Sequence, residues 1–204
     1  MTRIYILRHG NTFDKGDVVT RVGGRTDLAL SVSGLDQAEI LANHFAELGV
    51  EFDMAFCSPL QRTKQTAQIA LKTQAEEVDL KILPFLVEID YGQDENKPEE
   101  EVRARIGEDA LKAWEEEGIP SQWLGMLILP AVIGRWQEFF ASAPKKYPNK
   151  TLLVVTSNGI ARFALKALKD SGADADLKLK TAAYGVFDVT EDGYPTMLSW
   201  NVRP

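Results

Sequence analysis

Cysteine occurs once in this 204-residue chain, at Cys57, and histidine only twice, at His9 and His44. One thiol excludes an internal disulfide framework and favours a reducing compartment. Cys57 falls inside an apolar, strand-like run, where a buried, inert thiol is expected rather than a catalytic one. No cluster of His, Cys and carboxylate residues has metal-ligand spacing, so no metal or other cofactor is expected. No apolar run approaches membrane-spanning length. Met1-Thr2-Arg3 leads straight into a strand, without an apolar signal segment or a transit-like composition, so the expected location is the cytoplasm. Positive charge is in deficit: 23 Lys and Arg against 30 Asp and Glu give a net charge of −7. That excludes a general nucleic-acid or anionic-membrane binder but leaves room for a local cationic pocket.

What the chain does have is ordinary globular material, 45% hydrophobic and 26% charged residues, enough for one substantial core. No internal repeat or low-complexity linker divides it, and a single domain over 1–204 is expected, with oligomeric state left open. Short apolar runs at 4–7, 52–57, 81–83 and 151–156 read as strands, the last being the clearest. Two late runs, 184–189 and 197–202, read as edge strands. Between them lie helical periodicities. Ser31 or Ser33 can cap a helix whose apolar face is Leu35, Ala38, Leu41, Ala42, Phe45 and Leu48, with Gly49 as C-cap. Ser58 and Pro59 suit the N-cap and first position of a second helix. The stretch 98–117 reads as an acidic helix with Val102, Ile106, Leu111 and Trp114 at helical spacing. Gly118-Ile119-Pro120 breaks it, and 121–143 reads as a further helix. Residues 93–134 are taken as a helical cap insertion on the same domain. A last helix, 160–169, carries Arg162.

Chemistry-bearing residues gather where strands give way to loops. The first strand runs into Arg8-His9-Gly10-Asn11-Thr12, and the carboxyl ends of strands are where open α/β sheets bind ligands. Arg8 can hold a tetrahedral anion through its rigid fork of donors, and a neutral His9 can act as a nucleophile towards phosphorus. Gly10 permits a left-handed or tight turn, and Asn11 adds side-chain donors. The same tetrapeptide also fits an ordinary loop with a surface Arg and a hydrogen-bonded His. Arg62 falls in the first turn of a helix, where the dipole disfavours a cation, so it needs a partner: a bound anion, or a nearby carboxylate on the surface. Glu88 stands in an apolar setting that suits a general acid, or in a solvated loop. Ser157-Asn158-Gly159 turns a core strand into a helix N-terminus, an anion-binding arrangement. His44 lies on a helix far from any motif, as a bystander.

Taken together and in order, these segments resemble the histidine phosphatase superfamily, the phosphoglycerate mutase-like proteins. Arg8 to Thr12 matches the R-H-G-x-T signature, and Gly24 to Ala38 resembles the G-x-x-D-x-x-L-[ST]-x-x-G-x-x-Q-A segment. Ser58 to Ala67 resembles S-x-x-x-R-x-x-x-T-A, Glu88 with Gly92 resembles the E-x-x-x-G acid loop, and the turn before Arg162 resembles V-V-S-H-G-x-x-x-R. The resemblance implies an α/β fold, a three-layer α/β/α sandwich with a mostly parallel central sheet. It also implies a metal-free phosphohistidine mechanism. His9 would attack phosphorus, Arg8 and Arg62 would bind the phosphoryl oxygens, and Glu88 would protonate the leaving oxygen.

One departure stands out. Counting back from Arg162, the family's second catalytic histidine falls on Ser157, or on Asn158 if the turn slips by one residue. Each can donate a hydrogen bond to a phosphoryl oxygen, but neither supplies a positive charge. A hydrogen bond involving a charged group is worth about 1.5–3 kcal/mol and a neutral one less, so roughly one or two orders of magnitude in rate are at stake. The expected function is a phosphomonoesterase acting on a small phosphorylated metabolite, slow or specialised, with Asn11, Ser157 and Asn158 helping to bind phosphate. The alternative is a non-catalytic or regulatory protein that binds a phosphorylated ligand in the same pocket. A mutase is the poorer third reading.

Overall fold

A computed structural model describes residues 1–119, 129–168 and 177–204. Six strands form one sheet in the order β3-β2-β4-β1-β5-β6, where β1 is Thr2–Arg8, β2 Met54–Cys57, β3 Leu80–Ile82, β4 Thr151–Thr156, β5 Tyr184–Val189 and β6 Pro195–Val202. The pairs β2–β3, β2–β4 and β1–β4 are parallel; β1–β5 and β5–β6 are antiparallel. The central strands are apolar on both faces because both are covered. Ile4, Ile6, Leu152 and Val154 enter one hydrophobic cluster, and Tyr5, Leu7, Leu153 and Val155 enter another. Alternation along the pleat thus feeds two cores, one on each side of the sheet, and gives three layers.

Helices α1 (Val32–Glu47) and α2 (Gln61–Ala70) cover the Tyr5 face. The Ile4 face is covered by α3 (Glu99–Ile106), α4 (Glu108–Lys112), a π-turn at Ala113–Glu117, α5 (Leu129–Lys146) and α6 (Asn158–Lys166). The helix that follows β1 and the helix that follows β4 therefore lie on opposite faces, although β1 and β4 are neighbours. Such a reversal opens a crevice at the carboxyl ends of the two strands, the place where α/β sheets bind ligands. Among the described residues, no helix is long and apolar enough to cross a membrane.

Several elements differ from the sequence reading. β5 lies inside the sheet, between β1 and β6, so only β6 and β3 form edges. The acidic stretch 98–117 is broken at Gly107, whose φ of 86° no continuous helix accepts. Its four apolar residues, Val102, Ile106, Leu111 and Trp114, still reach the same core. Residues 120–128 and 169–176, which hold the start of one expected helix and the end of another, lie outside the described residues; the former helix continues past Ala143 to Lys146. On α1, Ser31 is the cap, accepting from Gly34 N, but Leu35 and Leu48 are exposed. Gly34 takes the buried position one turn before Ala38, because there the helix crosses the Asn11 backbone too closely for any side chain. Ser58 is not the cap of α2. That helix starts two residues later than expected, behind Leu60, and Ser58 Oγ instead accepts from Leu60 N and pairs with Thr63 Oγ1. Cys57 is fully buried, which pushes its thiol up to about 11.

Candidate active site

His9 follows the last residue of β1, and its backbone N–H donates to Thr156 O at the end of β4 (3.1 Å). Gly10 then turns the chain under α1. Glycine is required there by space and not by a positive φ, since a Cβ would stand 2.5 Å from Gly34 O. The His9 ring is buried and held at both nitrogens: Nδ1 is 2.7 Å from Gly10 O, and Nε2 is 3.2 Å from Arg62 Nε. A carbonyl only accepts and a guanidinium only donates. The proton therefore resides on Nδ1, and Nε2 carries the free lone pair. Burial, and then the cations of Arg62 and Arg8, hold the imidazolium well below its usual range, against the Gly10 hydrogen bond. His9 is thus kept neutral and in one tautomer.

Arg62 reaches the ring from the first turn of α2 and is wholly buried. Its Nη1 donates to Thr26 O (2.7 Å) and its Nη2 to Gly23 O (3.1 Å). Its partners are thus carbonyls and an imidazole, not a surface carboxylate. Burial lowers its pKa, opposed first by Glu88. Arg8 donates Nη1 to Leu179 O (2.8 Å), while its Nε is buried without a partner. Burial draws Arg8 down to about 10, so it remains a cation at neutral pH.

Glu88 is buried and faces the same crevice. Ile89 N donates to its Oε1 (2.8 Å) and Gly159 N, from the start of α6, to its Oε2 (3.1 Å). The helix terminus that the sequence offers to an anion therefore already holds a carboxylate. Gly159 makes this possible: a Cβ there would sit 2.2 Å from Glu88 Oε1.

Arg8, His9, Asn11, Glu88 and Asn158 line one cavity of about 420 Å³. Asn11 is tied to α1 through its N–H to Gln37 Oε1 and its Nδ2 to Ser33 Oγ. Asn158 Oδ1 accepts from Leu179 N (2.9 Å), which leaves its amide NH₂ as the group available to a ligand. Neither Ser157 nor Arg62 is on the wall: Ser157 is 1% exposed with its Oγ buried and without a partner, and Arg62 is wholly buried with its Nε on the His9 ring.

The wall also holds cations that the sequence reading did not assign to the site: Arg21, Arg162 and Lys178. Arg21 pairs with Glu99 (2.7 Å) and lies over the Tyr91 ring (5.2 Å to its centroid). Arg162 lies over Trp114 (4.7 Å) and donates to Trp114 O. Arg21 stands just before Gly23-Gly24, a pair whose close packing on the 88–89 backbone was a usable signal; Lys178 had none. His44 sits on α1 and bonds Tyr184 OH (2.9 Å), away from the cavity. Among the described residues no group of three or more His, Cys, Asp or Glu side chains could hold a metal ion.

Known proteins resemble this chain in sequence and in fold. The chain is 30% identical to phosphoserine phosphatase 1 of Hydrogenobacter thermophilus, over 76% of this chain and 71% of that protein. It is 26% identical to the adenosylcobalamin/alpha-ribazole phosphatase of Escherichia coli K12, over 85% of this chain and 82% of that protein. In fold it superposes on the YhfR structure of Bacillus stearothermophilus with a TM-score of 0.79, at 22% identity and covering 98% and 97% of the two chains. The model of the histidine phosphatase superfamily (branch 1) matches residues 4–203, so this chain belongs to that superfamily.

Proposed function

We propose that the protein is a phosphomonoesterase that hydrolyses a small phosphorylated metabolite through a phosphohistidine on His9, in a cytoplasmic setting. The observation that carries this reading is the fixed tautomer of His9, with a lone pair on Nε2 and the Arg62 guanidinium beside it. A phosphoryl group entering the cavity displaces Arg62 Nε from the ring and takes over its donor. His9 Nε2 then attacks phosphorus while the bond to the leaving oxygen breaks, and Glu88, entering this step as the carboxylic acid, gives its proton to that oxygen and is left as the carboxylate. Arg8 and Arg62 neutralise the charge developing on the phosphoryl oxygens, and the Asn158 amide adds a neutral donor. Water, deprotonated by Glu88, attacks the phosphohistidine, releasing inorganic phosphate and restoring neutral His9. Two relatives named as phosphatases, a phosphoserine phosphatase and an alpha-ribazole phosphatase, support hydrolysis, although relatives of comparable identity are named phosphoglycerate mutases.

The test is hydrolysis of a chromogenic phosphate ester, with and without a chelator, by wild type and His9→Ala. Turnover that resists the chelator and disappears in the variant is expected; undiminished hydrolysis by His9→Ala overturns the reading. A second reading, a protein that binds a phosphorylated ligand without turning it over, is favoured by one observation: α6 brings no second histidine, and Ser157 stays off the wall. Tungstate or phosphate binding with no turnover of any ester would select it.

A further inference from the structure

Four donors converge on one carboxylate outside the cavity, that of Glu95. Its Oε1 accepts from Tyr91 N (3.2 Å) and Arg25 N (3.3 Å), and its Oε2 accepts from Gly23 N (3.2 Å) and the hydroxyl of Thr26. Gly23 and Thr26 are also the two residues whose carbonyls receive Arg62 Nη2 and Nη1. The loop that cradles Arg62 is thus gripped by Glu95, one residue at each end of the four-residue span from Gly23 to Thr26. The grip is close: a Cβ on Gly23 would fall 2.1 Å from Glu95 Oε1 and 2.5 Å from Ile89 O. A second tie, Gly24 N to Ile89 O (2.8 Å), holds the middle of the span to the segment that carries Glu88.

We propose that Glu95 is a positioning residue for the phosphoryl chemistry. By fixing the Gly23 and Thr26 carbonyls it aims the Arg62 guanidinium at His9 Nε2. This rests on the role given above to His9 and Arg62, and Glu95 itself touches neither substrate nor nucleophile. The path runs from the Glu95 carboxylate to the Gly23 N–H and the Thr26 hydroxyl, and from the carbonyls of those two residues to two donors of one guanidinium. It explains how a fully buried cation is aimed without a carboxylate of its own in contact. Its charge also acts on Arg62 at longer range, as one of the groups that oppose the effect of burial on that guanidinium. The neighbouring Asp94 offers an internal contrast. It is more deeply buried than Glu95 and pairs with Arg105 on α3, so it ties the same loop to the fold without entering the path to Arg62.

The experiment reads His9 directly, in the absence of substrate. The chain has two histidines, so the imidazole NMR signals are assigned by comparison with a His44→Gln variant. Arg62 from α2 and Arg8 from β1 are the charged groups that hold the His9 imidazolium down. Once Arg62 is no longer fixed, the His9 titration midpoint should rise by about one pH unit or more in Glu95→Ala. Glu95→Gln keeps the size but presents an NH₂ to two of the four donors, and should show a smaller rise. In both variants kcat for a phosphate ester should fall, by up to about 10²-fold in Glu95→Ala. Asp94→Ala should lose stability yet leave the His9 midpoint where it is. Unchanged His9 titration in both Glu95 variants overturns the proposal, and so does an equal shift in Asp94→Ala, which would mean that any loosening of the loop suffices. If Glu95→Ala does not fold, Glu95→Gln decides alone. A wild type that turns over no ester removes the phosphatase reading, but the His9 titration still decides whether Glu95 aims Arg62.

Discussion

Two strand-to-helix turns meet at the crevice, and they bring different chemistry. After β2, helix α2 delivers Arg62 in its first turn, fully buried, with its nitrogens on Gly23 O, Thr26 O and His9 Nε2. After β4, helix α6 delivers a backbone N–H to Glu88 and the Asn158 amide to the cavity, while Ser157 stays behind the wall. The cation on α6, Arg162, comes a turn later and lies over Trp114 instead. Charge acting on the nucleophile therefore comes from β1 and α2, while α6 supplies the Asn158 amide, the setting of Glu88 and, farther along the cavity wall, the Arg162 cation. A phosphate site does not need equivalent groups on each helix that faces it; it needs donors fixed at the right distances.

Removing the charged side of this contrast should have the largest effect. Arg62→Ala should lower kcat/KM by about 10²–10³-fold. Because it leaves the Gly23 and Thr26 carbonyls buried without a donor, it should also cost about 2–4 kcal/mol of stability in denaturant unfolding. Full activity in that variant would remove Arg62 from the mechanism. On the neutral side, Gly159→Ala forces a Cβ against Glu88 Oε1 and should reduce kcat by roughly 10–10²-fold with a smaller change in phosphate affinity. If affinity and kcat fall together, the glycine matters to the ligand site rather than to Glu88.

The pH dependence of stability sharpens the comparison at His9. Its folded pKa is depressed well below the ordinary 6.5, so below pH 6.5 the unfolded chain takes up a proton that the folded one refuses. The contribution is fully present above pH 6.5 and is lost as pH falls towards the folded pKa, by at most about 1.4 kcal/mol per pH unit. Urea unfolding of wild type and His9→Gln between pH 7 and 5 checks this, and the variant should show the shallower decline. The smallest effect belongs to Ser157→Ala. It removes a buried hydroxyl that has no partner, so stability should stay within about 1 kcal/mol of wild type, on the favourable side, and phosphate affinity should hardly change. A clear loss of affinity would return Ser157 to the pocket, where the alignment through Arg162 had put it.

Periodicity and turn chemistry exposed most of the architecture before any coordinates. The apolar runs at 4–7 and 151–156 became the two central strands, and of the two serines able to cap α1, Ser31 and Ser33, it is Ser31 that does so. The break at Gly107 was hidden by a continuous helical spacing on both sides of it, because a single glycine in such a pattern is locally tolerable and only its φ reveals the kink. The interior place of β5 was equally hidden, since strand order depends on pairings between residues far apart in sequence.

The sequence by itself determined which chemistry-bearing residues stand at strand ends: Arg8 and His9 after one run, Ser157 and Asn158 after another, with Arg62 opening a helix. Those positions follow from short-range pattern, the alternation of a strand and the residues able to start a helix. Only the tertiary structure decided which of them share a cavity. Whether Ser157 or Asn158 faces it depends on where α6 lies against β1. The tautomer of His9 depends on a carbonyl one residue on and a guanidinium 53 residues away. Glu95, just outside the Glu88–Gly92 segment and part of no motif, acquires its place only when two loops distant in sequence pack within hydrogen-bond reach, a distance that no local pattern encodes.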